Sequence, residues 1–487
     1  MLWHNVLISL IFVSFTKNIE SLENGLERTP TMGWVSWIGY GCDANCHSQS
    51  DECMSERMIM DAADLLVSEG YREVGYDHII IDGCWHHNIK DNDTGEMLPD
   101  LKRFPKGMHY LADYVHSKRL KFGIYYVVSE HIDYEKYLKL DADTFSKWGV
   151  DYMKFNFLSD AKSMDRVYRK FGKLLNETGR PMTYACSWPF FQRIARDTIN
   201  FDILKNTCNS WRYWNDIQNS YESLRSIINQ FGDVQNDIQP HAGPGHFNNP
   251  DMLMIGNSGL SVDQSRTQMA IWAILAAPLM MSHHLKYTAP EIKQILLNKQ
   301  IVAVNQDPLG IQGKRVMSDA KNEVWIRPIQ PVHNGSYSFA VAISSKHEGF
   351  SPYEVFVNLT NFELKHSDGY YVVDLFSGKT LEFLTDGRNF STMVKPSGTA
   401  FFKFTPIRVE NFARSAELKS SGSNMIIWVF LTICLVLVGL GLAYVYMENG
   451  LRETMNVKYE QFAGYRSRLS FWKRHETKDD LLNNIVQ

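Results

Sequence analysis

Tyr76-Asp77-His78-Ile79-Ile80-Ile81-Asp82 is a short apolar, β-branched run that ends in a carboxylate. Such residues favour strands. A run without polar alternation suits a strand buried on both faces, as in a parallel sheet. The pattern recurs at 121–126, 152–157, 181–186 and 208–212, with helical stretches such as 55–69 and 108–118 between. Repeated strand–helix units from Thr31 to Leu285 predict a (β/α)8 TIM barrel of about 250 residues, with a doubly wound open sheet as the alternative. Asp82, Asn156, Ser187 and Arg212 fall at C-terminal strand ends, the face on which barrels assemble their sites. No glycine-rich loop opens a helix, so nucleotide binding has no support.

After residue 306 the texture changes. Short β-like runs at 324–327, 337–343, 353–357, 370–375 and 399–404 are split by Asn, Gly, Pro and Ser. They predict an antiparallel β-sandwich over 306–406, following a barrel over 22–305.

The chain has 487 residues, enough for two or three domains, and its 44% hydrophobic content makes it globular. A formal net charge of −4 gives no sign of a nucleic-acid partner. Residues 7–15 fit the apolar core of a signal peptide over 1–21, although its n-region carries His4 and no Lys or Arg. Residues 425–447 carry no charge over a length that crosses about 30 Å of hydrocarbon as a helix. Trp428, Tyr444 and Tyr446 suit interfacial anchors. A linker over 407–424 precedes this span, and a short charged tail over 448–487 follows it. Within the tail, Tyr459-Glu460-Gln461-Phe462 has the form of an endocytic sorting signal.

Six of the seven cysteines and the sequons at Asn92, Asn176, Asn334, Asn358 and Asn389 precede the span. They predict a type I membrane protein of the secretory or endolysosomal pathway or the cell surface, with a large lumenal body. The histidine pairs His86-His87 and His283-His284 are expected on loops and have no metal-ligand spacing. No metal or cofactor is expected.

Several segments together carry a resemblance. They are Thr29-Pro30-Thr31-Met32-Gly33-Trp34, Ile81-Asp82-Gly83-Cys84-Trp85, Lys121-Phe122-Gly123-Ile124-Tyr125, Trp148-Gly149-Val150-Asp151, Ala242-Gly243-Pro244-Gly245, Asn249-Pro250-Asp251-Met252-Leu253 and Asn305-Gln306-Asp307-Pro308-Leu309-Gly310. The chain resembles glycoside hydrolase family 27, the lysosomal α-galactosidases and α-N-acetylgalactosaminidases, from about Leu22 to Phe404. The resemblance implies a barrel followed by a β-sandwich, a homodimer, and a glycan ligand ending in a galactose-type sugar. It also implies disulfides Cys42–Cys84, Cys46–Cys53 and Cys186–Cys208. A further family cysteine is replaced by Leu158.

Family members hydrolyse their substrates with two carboxylates, one a nucleophile and one an acid/base. The acid/base position matches Asp216. Trp37, Asp82, Tyr125, Lys154, Ser187, Arg212 and Asp251 match sugar-contacting or pocket positions, and the nucleophile position is Asn156. An amide cannot form the glycosyl ester of retaining hydrolysis. Gly83 and Asn249 also stand where the family has acids. Ser187 is the residue of members that tolerate an acetamido group, yet Phe190 would crowd that group.

The expectation is therefore a non-hydrolytic protein that binds a glycan or a protein. An active glycosidase of altered chemistry is the main rival, and a scaffold role the third reading. Two routes would rescue hydrolysis: an acetamido substrate supplying its own nucleophile, or Asp160 replacing the missing acid.

Overall fold

The structure is a computed structural model and describes residues 24–42, 53–128, 134–194, 198–358, 362–364, 366–384, 389–407, 428–452 and 458. Eight short strands form the first half: β1 Met32–Val35, β2 His78–Ile81, β3 Lys121–Val128, β4 Tyr152–Phe157, β5 Thr183–Cys186, β6 Ser210–Arg212, β7 Phe247–Asn249 and β8 Leu279–Met281. All neighbours pair in parallel, in the order β8-β1-β2-β3-β4-β5-β6-β7. The ring closes where the chain after β7 meets β8: the Leu253 amide donates to the Met280 carbonyl at 2.7 Å. The expected (β/α)8 barrel is thus the observed fold.

Several of the helices start where side chains satisfy their first amides. Ser55 caps Glu56–Ser68, Ser220 caps Tyr221–Asp233, and Ser261 with Gln264 forms a capping box on Val262–Ile274. Close strand packing restricts side-chain size at Gly123 in β3. A Cβ there would meet Ile80 at 2.8 Å and Tyr152 at 2.9 Å.

The second half is an antiparallel sheet of six strands: Lys314–Ser318, Asn322–His333, Ser336–Ser345, Thr399–Pro406, Tyr370–Asp374 and Thr380–Leu384. A two-stranded sheet of Tyr353–Asn358 and Asn389–Val394 accompanies it. Val324, Ile326, Val341, Val355, Phe402 and Phe404 lie in its core. The helix Val262–Ile274 is buried against this domain, and the buried Arg327 ties the halves together. Its Nη1 donates to the carbonyls of Ala273 and Val304 at 2.7 Å and of Asn305 at 3.1 Å.

Differences from expectation lie in short or edge elements. β7 and β8 have three residues each, too few to show a period. His86 and His87, expected on a loop, lie on the strand His86–Lys90, which forms a hairpin with Met97–Pro99. The apolar C-terminal helix spans Trp428–Arg452 with every residue exposed, long and apolar enough to cross a membrane. The expected signal peptide, the linker and most of the tail lie outside the described residues.

Candidate active site

Asp82 follows β2, and Lys154 lies within β4, two strands along the barrel. Their side chains meet, Lys154 Nζ donating to Asp82 Oδ2 at 2.6 Å. The Asp82 amide donates to Ser36 Oγ at 3.0 Å, which holds the chain after β2 against β1. Burial pulls the Lys154 ammonium down, but Asp82 and Asp251 more than offset this and hold its pKa above the ordinary lysine value. Asp82 is thus part of an ion pair and not merely a turn cap.

Arg212 ends β6 and joins two carboxylates. Its Nη1 lies 3.1 Å from Asp251 Oδ2, and its Nη2 pairs with Asp216 and donates to the Trp214 carbonyl at 3.1 Å. Asp251 has a positive φ of 86°, unusual for a residue other than glycine. An ion pair and three hydrogen bonds hold it there besides the packing. The side chain pairs with Arg212 and accepts from the Ile217 amide at 2.9 Å; its carbonyl accepts from Trp272 Nε1 at 2.8 Å, and its amide donates to Asn249 Oδ1 at 2.8 Å. The Asp216 side chain is 69% exposed. Partial burial raises its carboxyl, but the Arg212 guanidinium outweighs this and holds it below the usual carboxylate range.

Asn156, on β4, donates from Nδ2 to the Tyr125 hydroxyl at 2.9 Å, while its Oδ1 is buried without a partner. Burial, ahead of the nearby charges, raises the Tyr125 hydroxyl, so it stays neutral. The Lys154 ammonium lies 5.1 Å from the Tyr125 ring centroid, which joins this pair to the ion network.

A cavity of about 460 Å³, including space open to solvent, is lined by Asp82, Lys154, Ser187, Arg212, Asn249 and Asp251 over an apolar floor that includes Tyr152, Trp211 and Met280. Trp37 is 42% exposed, and its ring would lie 3.6 Å from a Cβ added at Gly83. The predicted site residues other than Trp37 therefore connect through direct contacts or a shared cavity wall. Phe190 stands against the network, its ring centroid 5.8 Å from the Arg212 guanidinium carbon.

Asp160, weighed as a substitute acid, instead caps the helix Ala161–Glu177 by accepting from the amides of Lys162 and Ser163. Cys42–Cys84 and Cys186–Cys208 are bridged. Cys53 is disulfide-bonded, and its expected partner Cys46 lies outside the described residues. Among the described residues no cluster of His, Cys, Asp and Glu is arranged to hold a metal ion.

Sequence reasoning did not single out Arg193. It stands on the helix Trp188–Ile194, with its guanidinium carbon 3.5 Å from the Trp214 ring centroid. The contact joins residues about twenty positions apart with no local pattern to announce it.

A closed (β/α)8 barrel with paired carboxylates and cations around a cavity at its C-terminal face, followed by a β-sandwich, defines a glycoside-hydrolase architecture. The chain belongs to glycoside hydrolase family 27: the family model described as "Alpha galactosidase A" matches residues 29–307. It is 40% identical to an α-N-acetylgalactosaminidase of Gallus gallus, over 79% of this chain and 95% of that protein. It is 41% identical to α-galactosidase A of Homo sapiens, over 68% of this chain and 77% of that protein. Among solved structures, α-galactosidase I of Mortierella vinacea superposes with a TM-score of 0.68 at 25% identity, covering 79% of this chain and 98% of that one.

Proposed function

We infer that the protein is a membrane-anchored glycan-binding member of the family, which holds a terminal galactose-type sugar without hydrolysing it efficiently. The amide of Asn156 carries this reading. It occupies the position matched to the nucleophile and bonds to Tyr125, where retaining hydrolysis needs a carboxylate. Removing a covalent nucleophile costs on the order of 10^4 to 10^6 in rate. Asp216 agrees with this. A general acid must be protonated at the working pH, and an ionised neighbouring carboxylate is one way to raise its pKa. Asn156 carries no charge to do so, and Arg212 holds Asp216 ionised.

Binding needs less. The cavity still offers Lys154, Arg212, Asp82 and Asp251 as charge-assisted partners for hydroxyls, and the exposed ring of Trp37, matched to a sugar-packing position, lies outside its lining. A second reading, an active glycosidase of altered chemistry, is favoured by relatives named as α-N-acetylgalactosaminidase and α-galactosidase at about 40% identity.

The protein is read as type I, with the barrel and sandwich lumenal, as a homodimer. All five sequon asparagines are exposed, as glycosylation requires, and the disulfides suit an oxidising compartment.

The deciding experiment measures turnover of nitrophenyl α-galactoside and α-N-acetylgalactosaminide by the purified full-length protein at acid and neutral pH. An Asp216→Asn variant controls for contaminating enzyme, and galactose binding is titrated in parallel. Binding without turnover above that variant supports the reading. Turnover that disappears in the variant overturns it in favour of the glycosidase.

A further inference from the structure

Two arginines grip the loop that leads to Asp216, and their charges meet different fates. Arg212 holds the Trp214 carbonyl, and its charge is taken up by Asp216 and Asp251. Arg193 holds the same loop from the helix Trp188–Ile194. It stacks on Trp214, and its Nε donates to the Tyr213 carbonyl at 3.3 Å and its Nη2 to Asn215 Oδ1 at 3.0 Å. These acceptors are neutral. Among the described residues no carboxylate pairs with Arg193, and the ionisable group beside it, the Tyr213 hydroxyl, is kept neutral by burial.

The guanidinium is half-buried, and burial holds its pKa below the ordinary arginine value. A guanidinium has five N–H donors in a planar fork, so the two bonds above leave part of the fork unused. A partly desolvated fork fixed by stacking and lacking a counter-charge suits a bidentate oxyanion.

Its place indicates which part of a ligand would supply that anion. Asp216 matches the residue that protonates the leaving oxygen, so the group beyond that oxygen lies on the side of the 213–216 loop. We propose that Arg193 forms an anion subsite beside the sugar cavity, and that the ligand is an α-linked galactose-type sugar whose aglycone carries a phosphate, sulfate or carboxylate group. This rests on the reading of the cavity as a galactose site and extends it to the neighbouring group.

The test is calorimetric titration of the full-length protein in neutral detergent, at low salt, with methyl α-galactoside, α-galactose 1-phosphate and an α-galactosyl uronide. At least one anionic ligand binds about tenfold more tightly than the neutral glycoside, the size of one charge-assisted contact. Which of the two does so separates a phosphate-type from a carboxylate-type aglycone. The preference falls towards one in Arg193→Met, persists in part in Arg193→Lys, and shrinks in wild type as salt is added. Equal affinity of all three ligands for wild type overturns the subsite and leaves the galactose reading standing. A preference that survives Arg193→Met assigns it elsewhere and also overturns the subsite. If no galactoside binds, the reading of the cavity fails and this inference fails with it.

Discussion

At the C-terminal ends of the barrel strands, Asp82, Lys154, Arg212, Asp216 and Asp251 are held in direct ion pairs. At the N-terminal ends Asp151 is paired with His116 and Arg180, but one carboxyl, Glu27, is buried with only a hydroxyl bonded to it. Thr31 donates to its Oε1, and its Oε2 has no partner. The same fold thus buries charge in two ways, with opposite responses to pH. Lys154, Arg212 and Asp216, each beside an opposite charge, are shifted towards their charged forms. Burial pushes the lone Glu27 carboxyl from 4.5 up to about 8, against a lowering by Thr31 and by the more distant Lys121.

Breaking the paired end has the largest expected effect. Arg212→Met leaves Asp251, which is 4% exposed, without its cation. Removing one partner of a buried pair costs about 3–5 kcal/mol. Urea denaturation of the full-length protein therefore shows a large loss of stability, accompanied by loss of galactoside binding. A loss below about 1 kcal/mol, the value of an exposed pair, would mean that the site network is solvated and that the contrast between the two ends is wrong.

The lone end gives the next effect. A carboxyl whose folded pKa lies above its unfolded value keeps its proton in the folded state after the unfolded chain has released it. Its contribution is intact below about pH 4.5 and is lost progressively as pH rises to about 8. The protein is accordingly more resistant to urea at pH 5 than at pH 8, with a contribution from this group on the order of a few kcal/mol. Glu27→Gln flattens the profile over that window. An unchanged slope in the variant assigns the dependence to other groups.

The two ends also differ in how far they could be read from the chain. Strands buried on both faces announce themselves as apolar runs, and β2 was legible for that reason. Asp82 and Arg212 stood out because polar residues at strand ends break those runs, whereas Lys154 and Asp216 were marked only by the family resemblance. Their pairing was not legible, because parallel register decides which side chains meet, as where Tyr125 lies opposite Lys154. Glu27 left no mark, since its depth depends on the barrel mouth closing around it. Arg193 was missed because it acts through a ring and a carbonyl in another βα loop.

The smallest effect sharpens the comparison most. Asn156→Asp supplies the carboxylate position of the family, yet the cations of the site are already engaged, Lys154 by Asp82 and Arg212 by Asp216 and Asp251. The new carboxyl would meet Tyr125 on one oxygen, and the other would occupy the place where Oδ1 now has no donor. Gly83 and Asn249 would remain neutral. The substituted group should therefore behave as a second Glu27, with a raised pKa and weak nucleophilicity. Turnover of nitrophenyl α-galactoside should rise less than about tenfold, far below the factor of about 10^4 that a complete nucleophile contributes. Stability should acquire an added loss between pH 5 and pH 8, modest because the site is partly open to water. Turnover at the level of the α-galactosidase relatives, with no new pH dependence of stability, would show that the site still holds a place for an ionised nucleophile. The difference between the two ends would then be one of residues and not of environment.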